Sequence, residues 1–353
     1  MKISYVLVLA TGVSFIVNIL IIPLLLHLSH RFKWYDDVDH RKIHTGEIPR
    51  IGGVGIFLSF LLGIVLFYSI RGGEIPFSLR LIPLLIGFIS ITTLGLIDDF
   101  ISIRPLFKIL VQIGAALVVA VAGFNFRTFA IPLLHTNLEL GYVSYIVTCF
   151  WIVGMSNAVN LVDGIDGLAG GISAIAAFFI GIISLLQHDY TTALFALVLF
   201  GGILGFLVYN FPPAKLFMGD SGSLFLGFSI AVLPLISKPG PVHTTASFIL
   251  VLTLMIIPFL DTLAAILRRI RRKKPIHSPD RDHLHHKLLT FGLGTKQILI
   301  VIYVFSIVIG VTLLSWVFIS RRFFYTVVLI EWIVCITSFL VIDRVYRRRF
   351  ASS

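Results

Sequence analysis

Charge is what this chain has least of. Only 13% of its 353 residues are Asp, Glu, Lys or Arg, while 58% are hydrophobic and the mean hydropathy is +1.01. Soluble domains carry about a quarter of their residues charged, so the composition excludes a water-soluble globule and implies an integral membrane protein. Two cysteines, Cys149 and Cys335, are too few for a disulfide framework, and both fall inside apolar runs where packing is the ordinary role. No soluble domain, low-complexity tract or useful repeat interrupts the pattern. One polytopic domain over 1–353 is therefore expected, with no nucleic-acid partner.

What the chain has in abundance is hydrophobic runs long enough to cross a bilayer core as helices. They are read at 4–28, 51–70, 79–97, 106–122, 141–158, 168–186, 191–210, 222–237, 245–266, 296–318 and 322–343. An all-α protein of about eleven spans is expected, and the first run is too long for a signal-peptide core. An odd number of spans places the termini on opposite sides. Most Lys and Arg residues gather on one side if the C-terminus is cytoplasmic, in the segments 29–50, 98–105, 211–221, 267–295 and beyond 343. By the bias of basic residues toward inner loops, the N-terminus is expected outside and the C-terminus inside.

Acids are scarce, yet five cluster at run ends: Asp98 and Asp99 in LGLIDDF, Asp163 and Asp166 in NAVNLVDGIDGLAGG, and Asp220 in FMGDSGS. The same topology sends all five to the cytoplasmic face. Carboxylates near a bilayer are costly unless paired, hydrated or metal-bound, so a cluster of them marks a functional site. Asp98 and Asp99 point about 100° apart on a helix, which implies a division of labour: one faces the reacting centre while the other holds a lysine or metal. Asn157, Asn160, Asp163 and Asp166 recur every third residue, and Gly164 and Gly167 suggest a helix break that turns the stripe into a cup. Such a cup suits a divalent ion, sugar hydroxyls or a uracil edge. Asp220 reads as the N-cap of a helix, where Gly219 and Gly222 would let a phosphate approach closely.

Further on, RRIRRKK (268–274) reads chiefly as an orientation signal or anionic-lipid anchor. His283, His285 and His286, with Arg281 nearby, read as an anion-binding tip, since zinc ligation would call for nearby cysteine. A transporter would place its acids near mid-membrane in broken helices, often within repeated halves. Acids at run ends and the lack of a repeat oppose that reading.

Taken in order, DHRKIHTGEIPRIGG, LGLIDDF, NAVNLVDGIDGLAGG, NFPPAKLFMGDSGS and SPDRDHLHH resemble the motifs of the polyprenyl-phosphate N-acetylhexosamine-1-phosphate transferases. They cover residues 35–290. The SPDRDHLHH tip and eleven spans favour the WecA/TagO-like branch over the MraY-like branch. The resemblance implies transfer of GlcNAc-1-phosphate from UDP-GlcNAc to undecaprenyl phosphate at the cytoplasmic face of a bacterial inner membrane. It also implies Mg²⁺, with Mn²⁺ as a substitute, and a homodimer. Its roles fall on Asp220 as principal metal ligand with Asp98 or Asp99 contributing, and on Asp163, Asp166, Asn157 and Asn160 in the nucleotide and metal pocket. Lys108 would meet phosphate; Arg269, His283, His285 and His286 would meet pyrophosphate or sugar; Lys42 or His44 would stand for a further family lysine.

Overall fold

The computed structural model describes residues 3–34, 48–71, 78–131, 136–237, 240–275, 282–318 and 320–350. All eleven apolar runs fold as helix, because a backbone in hydrocarbon must satisfy its own hydrogen bonds. The helices are α1 Ile3–Phe32, α2 Gly52–Arg71, α3 Ile82–Ile101, α4 Pro105–Val121, α5 Val143–Val162, α6 Leu168–Leu186 and α7 Tyr190–Asn210. They continue as α8 Gly219–Ile236, α9 Pro241–Leu254, α10 Ile256–Arg271, α11 Leu284–Thr290, α12 Thr295–Leu314 and α13 Arg321–Phe350. Among the described residues, nine helices are long and apolar enough to cross a membrane, the bent α9–α10 pair makes a tenth, and α4 is a shorter apolar helix. The protein is an all-α, polytopic membrane protein.

The ninth run is not the single straight span expected over 245–266. It bends by 75° between α9 and α10. Pro258 supplies the reason: it has no N–H, and its ring crowds the carbonyl four residues back, which belongs to Leu254, the last residue of α9. Beyond the bend α10 is amphipathic in an inverted sense. It buries Asp261, Arg268 and Arg269 while Leu263, Leu267 and Ile270 stay exposed, as expected when the polar face turns to the bundle and the apolar face to lipid.

Helices α6, α7 and α8 form the centre, with 72–78% of their apolar windows buried; α13 lies at the edge, with 11%. Around this centre α1 and α2 pack on α7, and α3 and α5 pack on α8. A knot of aromatic rings joins α2, α3, α7 and α8. Phe60 meets Phe88 and Phe225 edge-to-face at 5.4 Å, and Phe88 meets Phe228 at 5.8 Å, the favoured geometry for such pairs. The knot ties α3 to α8, whose ends carry Asp98, Asp99 and Asp220.

One element was not expected. The segment between α4 and α5 contains a short antiparallel hairpin, β1 Thr128–Ile131 with β2 Thr136–Glu139, paired Thr128 to Glu139 and Ile131 to Thr136. It packs on α9 through Phe129 and Phe248, whose rings are 5.5 Å apart. Following the C-terminal end of α4, it lies at the opposite end of the bundle from the acids.

Candidate active site

The ends of α3, α4, α5 and α8 converge, and each acid takes a different task. Asp98 sits in the last turn of α3, where the chain reverses through Ser102 at φ 50°. One Asp98 oxygen accepts from the Ile103 amide at 2.6 Å, and the other accepts from Lys108 Nζ at 2.9 Å. Lys108, in the first turn of α4, also donates to a carboxylate oxygen of Asp220. Its ammonium therefore bridges two helices. Asp99 points elsewhere: its two oxygens accept from the amides of Asp220 at 2.7 Å and Ser221 at 3.1 Å. It serves the unpaired N–H groups at the start of α8, where negative charge is favoured.

The two neighbours point apart as helical geometry requires, and Asp98 is the one that holds a lysine; Asp99, expected at the reacting centre or on the metal, instead has both oxygens engaged by the α8 amides. Asp220 differs from its expected place. The N-cap position belongs to Met218, while Asp220 lies inside the first turn of α8. Capping passes to Asp99, which leaves the Asp220 carboxylate aimed at Lys108 and at Asn160 Nδ2, 3.0 Å away.

The members of the three-residue stripe do not share one point. Asn157 donates to Gln112 Oε1 at 2.6 Å, tying α5 to α4, and Asn160 also donates to Ser223 Oγ at 2.9 Å. The helix breaks as its glycines implied, for α5 stops at Val162 and Asp163 is its C-cap. Burial, reinforced by repulsion from Asp220, pushes the Asp163 carboxyl up to about 7, with Arg50 pulling the other way. Asp166 is buried and accepts from the Ala214 amide at 3.2 Å. Beside it, Asn210 accepts from Gly167 N and donates to Leu216 O, each at 2.9 Å. Asp166 thus helps to hold the 211–217 loop in place.

Gly219 and Gly222 are not openings for substrate. A Cβ on Gly222 would meet Gly53 Cα at 2.8 Å, and one on Gly219 would run into Arg50 O and Asp99. Their space is filled by the chain itself, because residues 49–53 lie along 217–218. Phe217 N donates to Pro49 O at 2.8 Å, and Gly53 N to Met218 O at 2.9 Å. This close passage carries Arg50 to the acids. Lys42 and His44 lie outside the described residues.

The histidine tip is fastened by a residue that sequence reasoning missed. Asp261 on α10, 1% exposed, pairs with His283 Nδ1 at 2.9 Å and accepts from Leu284 N at 3.0 Å. His285 is buried against Gly164, where a Cβ would collide with the imidazole. That contact docks the tip on the Asp163–Asp166 turn. Burial, with the neighbouring His286 adding to it, pulls the His285 pKa down to about 3, so the ring is neutral at physiological pH. His286 is only half-buried and is the histidine best placed to meet a ligand. Arg269 is buried, whereas Arg272 is exposed and pairs with Asp282 at 2.8 Å. Asp261→Asn is expected to lower kcat/KM about 10- to 100-fold, as loss of an orienting partner does, with little change in melting temperature. Unchanged kinetics would detach the histidine tip from catalysis.

Arg50, Gln112, Ser223 and Asp261 are the site residues absent from the sequence expectation. Only Asp261 carried a signal, an acid within a hydrophobic run.

Among the described residues, no three His, Cys, Asp or Glu side chains surround one point as a ready-made metal cage. The donor set nevertheless fits Mg²⁺. That ion is commonly held by one or two carboxylates together with substrate phosphates and water, and Asp98, Asp163 and Asp220 offer hard oxygen donors. Negative charge also gathers here, for repulsion from Asp220, Asp99 and Asp166 adds to burial, the larger cause, in raising the Asp163 pKa, with Arg50 opposing.

Residues 81–238, the stretch from α3 to α8 that carries this constellation, match the model of glycosyl transferase family 4. The chain is 36% identical over 306 residues to a probable undecaprenyl-phosphate N-acetylglucosaminyl 1-phosphate transferase of Bacillus subtilis, covering 87% of this chain and 84% of the relative. The chain belongs to glycosyl transferase family 4. This bears out the resemblance to the polyprenyl-phosphate N-acetylhexosamine-1-phosphate transferases. The family 4 protein is also 35% identical to a decaprenyl-phosphate N-acetylglucosaminephosphotransferase of Mycobacterium leprae, over 80% of this chain and 76% of the relative. A phospho-N-acetylmuramoyl-pentapeptide-transferase of Listeria innocua is 34% identical, over 77% of this chain and 89% of its own. The family match spans Asp98, Asp99, Lys108, Asn157, Asn160, Asp163, Asp166 and Asp220, the residues that the fold brings to one end of the bundle.

Proposed function

We propose that this protein transfers GlcNAc-1-phosphate from UDP-GlcNAc to undecaprenyl phosphate, giving undecaprenyl-pyrophosphate-GlcNAc and UMP. The reaction takes place at the cytoplasmic face of a bacterial inner membrane and is the first membrane step of a cell-envelope glycan. The observation that carries the chemistry is the Lys108 ammonium held between Asp98 and Asp220 where the ends of α3, α4 and α8 converge. Two relatives named for N-acetylglucosamine transfer support the choice of sugar.

A phosphate oxygen of the lipid attacks the β-phosphorus of UDP-GlcNAc, and the bond from that phosphorus to the bridging oxygen breaks as UMP leaves. The barrier is electrostatic, for anions must meet and charge must be neutralised on the departing phosphate. Lys108 offers its ammonium to a phosphate oxygen, exchanging a carboxylate partner for it. Asp98 orients the lipid phosphate; a phosphate monoester is largely ionised at neutral pH, so position matters more than proton removal. Asp220, Asp98 and Asp163 are the residues that would hold Mg²⁺, or Mn²⁺ in its place. The ion supplies positive charge to the diphosphate. Asn160 and Ser223 fix the rotamer of Asp220, while Arg269 and His286 face the phosphate and sugar end.

The deciding experiment is UMP release by purified protein with Mg²⁺ and undecaprenyl phosphate, offered UDP-GlcNAc, UDP-GalNAc or UDP-MurNAc-pentapeptide. Release with UDP-GlcNAc alone is expected. Release with the pentapeptide nucleotide alone would move the protein to the MraY-like branch, and no release at all would reopen the transporter reading. Direct attack also predicts that no phosphoenzyme accumulates when radiolabelled donor is given without lipid acceptor. A trapped aspartyl-phosphate would establish double displacement instead.

The Asp163 carboxyl gives a pH dependence. A metal binds the deprotonated group, and Asp163 loses its proton near pH 7 when no cation is bound. The Mg²⁺ concentration for half-maximal activity is therefore expected to fall as pH rises from 6 to 7, by up to about tenfold for one proton released, and to level off above 8. Without divalent ion the sign for stability is opposite. A carboxyl whose pKa is raised from 3.8 to about 7 binds more protons folded than unfolded, so its contribution declines as pH rises across that interval. Titrations of activity and of melting temperature at pH 6, 7 and 8, with and without Mg²⁺, check both. A pH-independent Mg²⁺ requirement would remove Asp163 from the metal site.

A further inference from the structure

The last membrane helix carries none of the motifs above, yet it forms a groove with α10. On α10 the outward face runs Leu263, Leu267, Arg271, and on α13 it runs Ile336, Leu340, Arg344. Each step is four residues, so each row is one helix face, and both rows switch from apolar to guanidinium at the same end. Between the apolar halves lies a groove of about 310 Å³, lined by Leu260, Leu263, Leu267, Ile336, Phe339 and Leu340 among others. It runs into a cleft of about 390 Å³ that brings together Arg271, Arg344, Arg347 and Arg348.

The balance of charge in this cleft is strongly positive. All four arginines are exposed. The one acid lining it, Asp343, is committed to Lys287 Nζ at 2.6 Å and to Arg347 Nε at 2.8 Å. Arg271, Arg344 and Arg348 have no acidic partner among the described residues. Basic residues that merely orient a span need no groove between two helices, whereas an apolar slot opening onto a guanidinium cluster at one depth has the shape of a lipid. The surface is also turned to the bilayer, with α13 11% buried.

We propose that the α10–α13 groove binds an anionic diacyl phospholipid, with an acyl chain between Leu263, Leu267 and Leu340 and the headgroup phosphate on Arg271, Arg344 and Arg348. This site is separate from that of the acceptor lipid, whose phosphate must reach Lys108 on α4, whereas α13 packs on α10, α11 and α12. Through Asp343 and Lys287 it adjoins the helix that follows His283. The inference holds whichever sugar nucleotide the enzyme uses.

The test is photocrosslinking in phosphatidylcholine nanodiscs doped with phosphatidylglycerol bearing a diazirine on one acyl chain. Label is expected in residues 260–271 and 336–348. The R271Q/R344Q/R348Q variant is expected to bind it on the order of a hundredfold more weakly, each arginine near an anionic headgroup contributing roughly fivefold. UMP release in pure phosphatidylcholine should be unchanged in that variant, which shows it folded. L340W, which fills the groove without altering charge, should also lose the label, and it decides the matter if the arginine variant fails to fold. Equal labelling by a phosphatidylcholine probe, or full labelling of both variants, would overturn the proposal. So would displacement by undecaprenyl phosphate but not by unlabelled phosphatidylglycerol, which would make the groove an acceptor site. Displacement by inorganic phosphate alone would make it a soluble-anion site and overturn it as well.

Discussion

Asp220→Asn is expected to reduce UMP release by at least about 10³-fold, the scale on which a charge-organising group acts in a preorganised site, at every practical Mg²⁺ concentration. Asparagine fills the same volume, and its oxygen can still accept from Asn160 Nδ2. What it removes is the oxygen that faces Lys108, replacing it with an amide that opposes the ammonium. The fold should be indifferent to the change. The start of α8 is served by Asp99 and not by Asp220 itself, and loss of Asp220 relieves the second-largest cause of the raised Asp163 pKa. A melting temperature within a few degrees of the parent is therefore expected beside near-complete loss of activity. Activity recovered at high Mg²⁺ would instead make Asp220 a contributor to affinity alone, and the principal metal role would pass to Asp98 or Asp163.

Much of this architecture is legible in the residues because the bilayer imposes one rule on every span. A long apolar run must be helical, and all eleven runs are. The bend at Met255 was not read, because hydropathy continues across Pro258 and only its steric demand on Leu254 marks the break. The hairpin was not read either: four-residue strands leave too short a pattern, and their seat depends on Phe129 meeting Phe248 more than a hundred residues away. At the site, the split between Asp98 and Asp99 follows from helical geometry alone. That Asp99 would cap α8 does not, since it needs the tertiary meeting of α3 with α8. Asp220 looked like a cap because caps are local, but the partner that serves the helix came from another element. Arg50 and Asp261 escaped for the same reason. One reaches the acids because residues 49–53 run beside 217–218, and the other because α10 inverts its polar face after the bend.

Lys108→Met should be as damaging as loss of Asp220, and for a reason that can be separated from it. Methionine keeps the length and apolar stem of lysine but leaves Asp98 and Asp220 facing one another without the ammonium that now joins them. Turnover is expected to fall at least about 10³-fold because the charge that meets the phosphate is gone. Mg²⁺ binding, measured without substrate, should tighten, since two carboxylates are released from an internal cation. Opposite movement of metal affinity and turnover is the signature of an ion pair that exchanges partners during the reaction. A lysine that only held the helices together would lower melting temperature and metal affinity along with activity. Adding Asp98→Asn to Lys108→Met should cost little more than Lys108→Met alone, because groups that act as one unit are not additive. Independent, multiplying losses would mean that Asp98 reaches the lipid phosphate without Lys108. Lys108→Arg should not restore activity, for a planar guanidinium fork cannot occupy the point between two carboxylates that a compact ammonium fills.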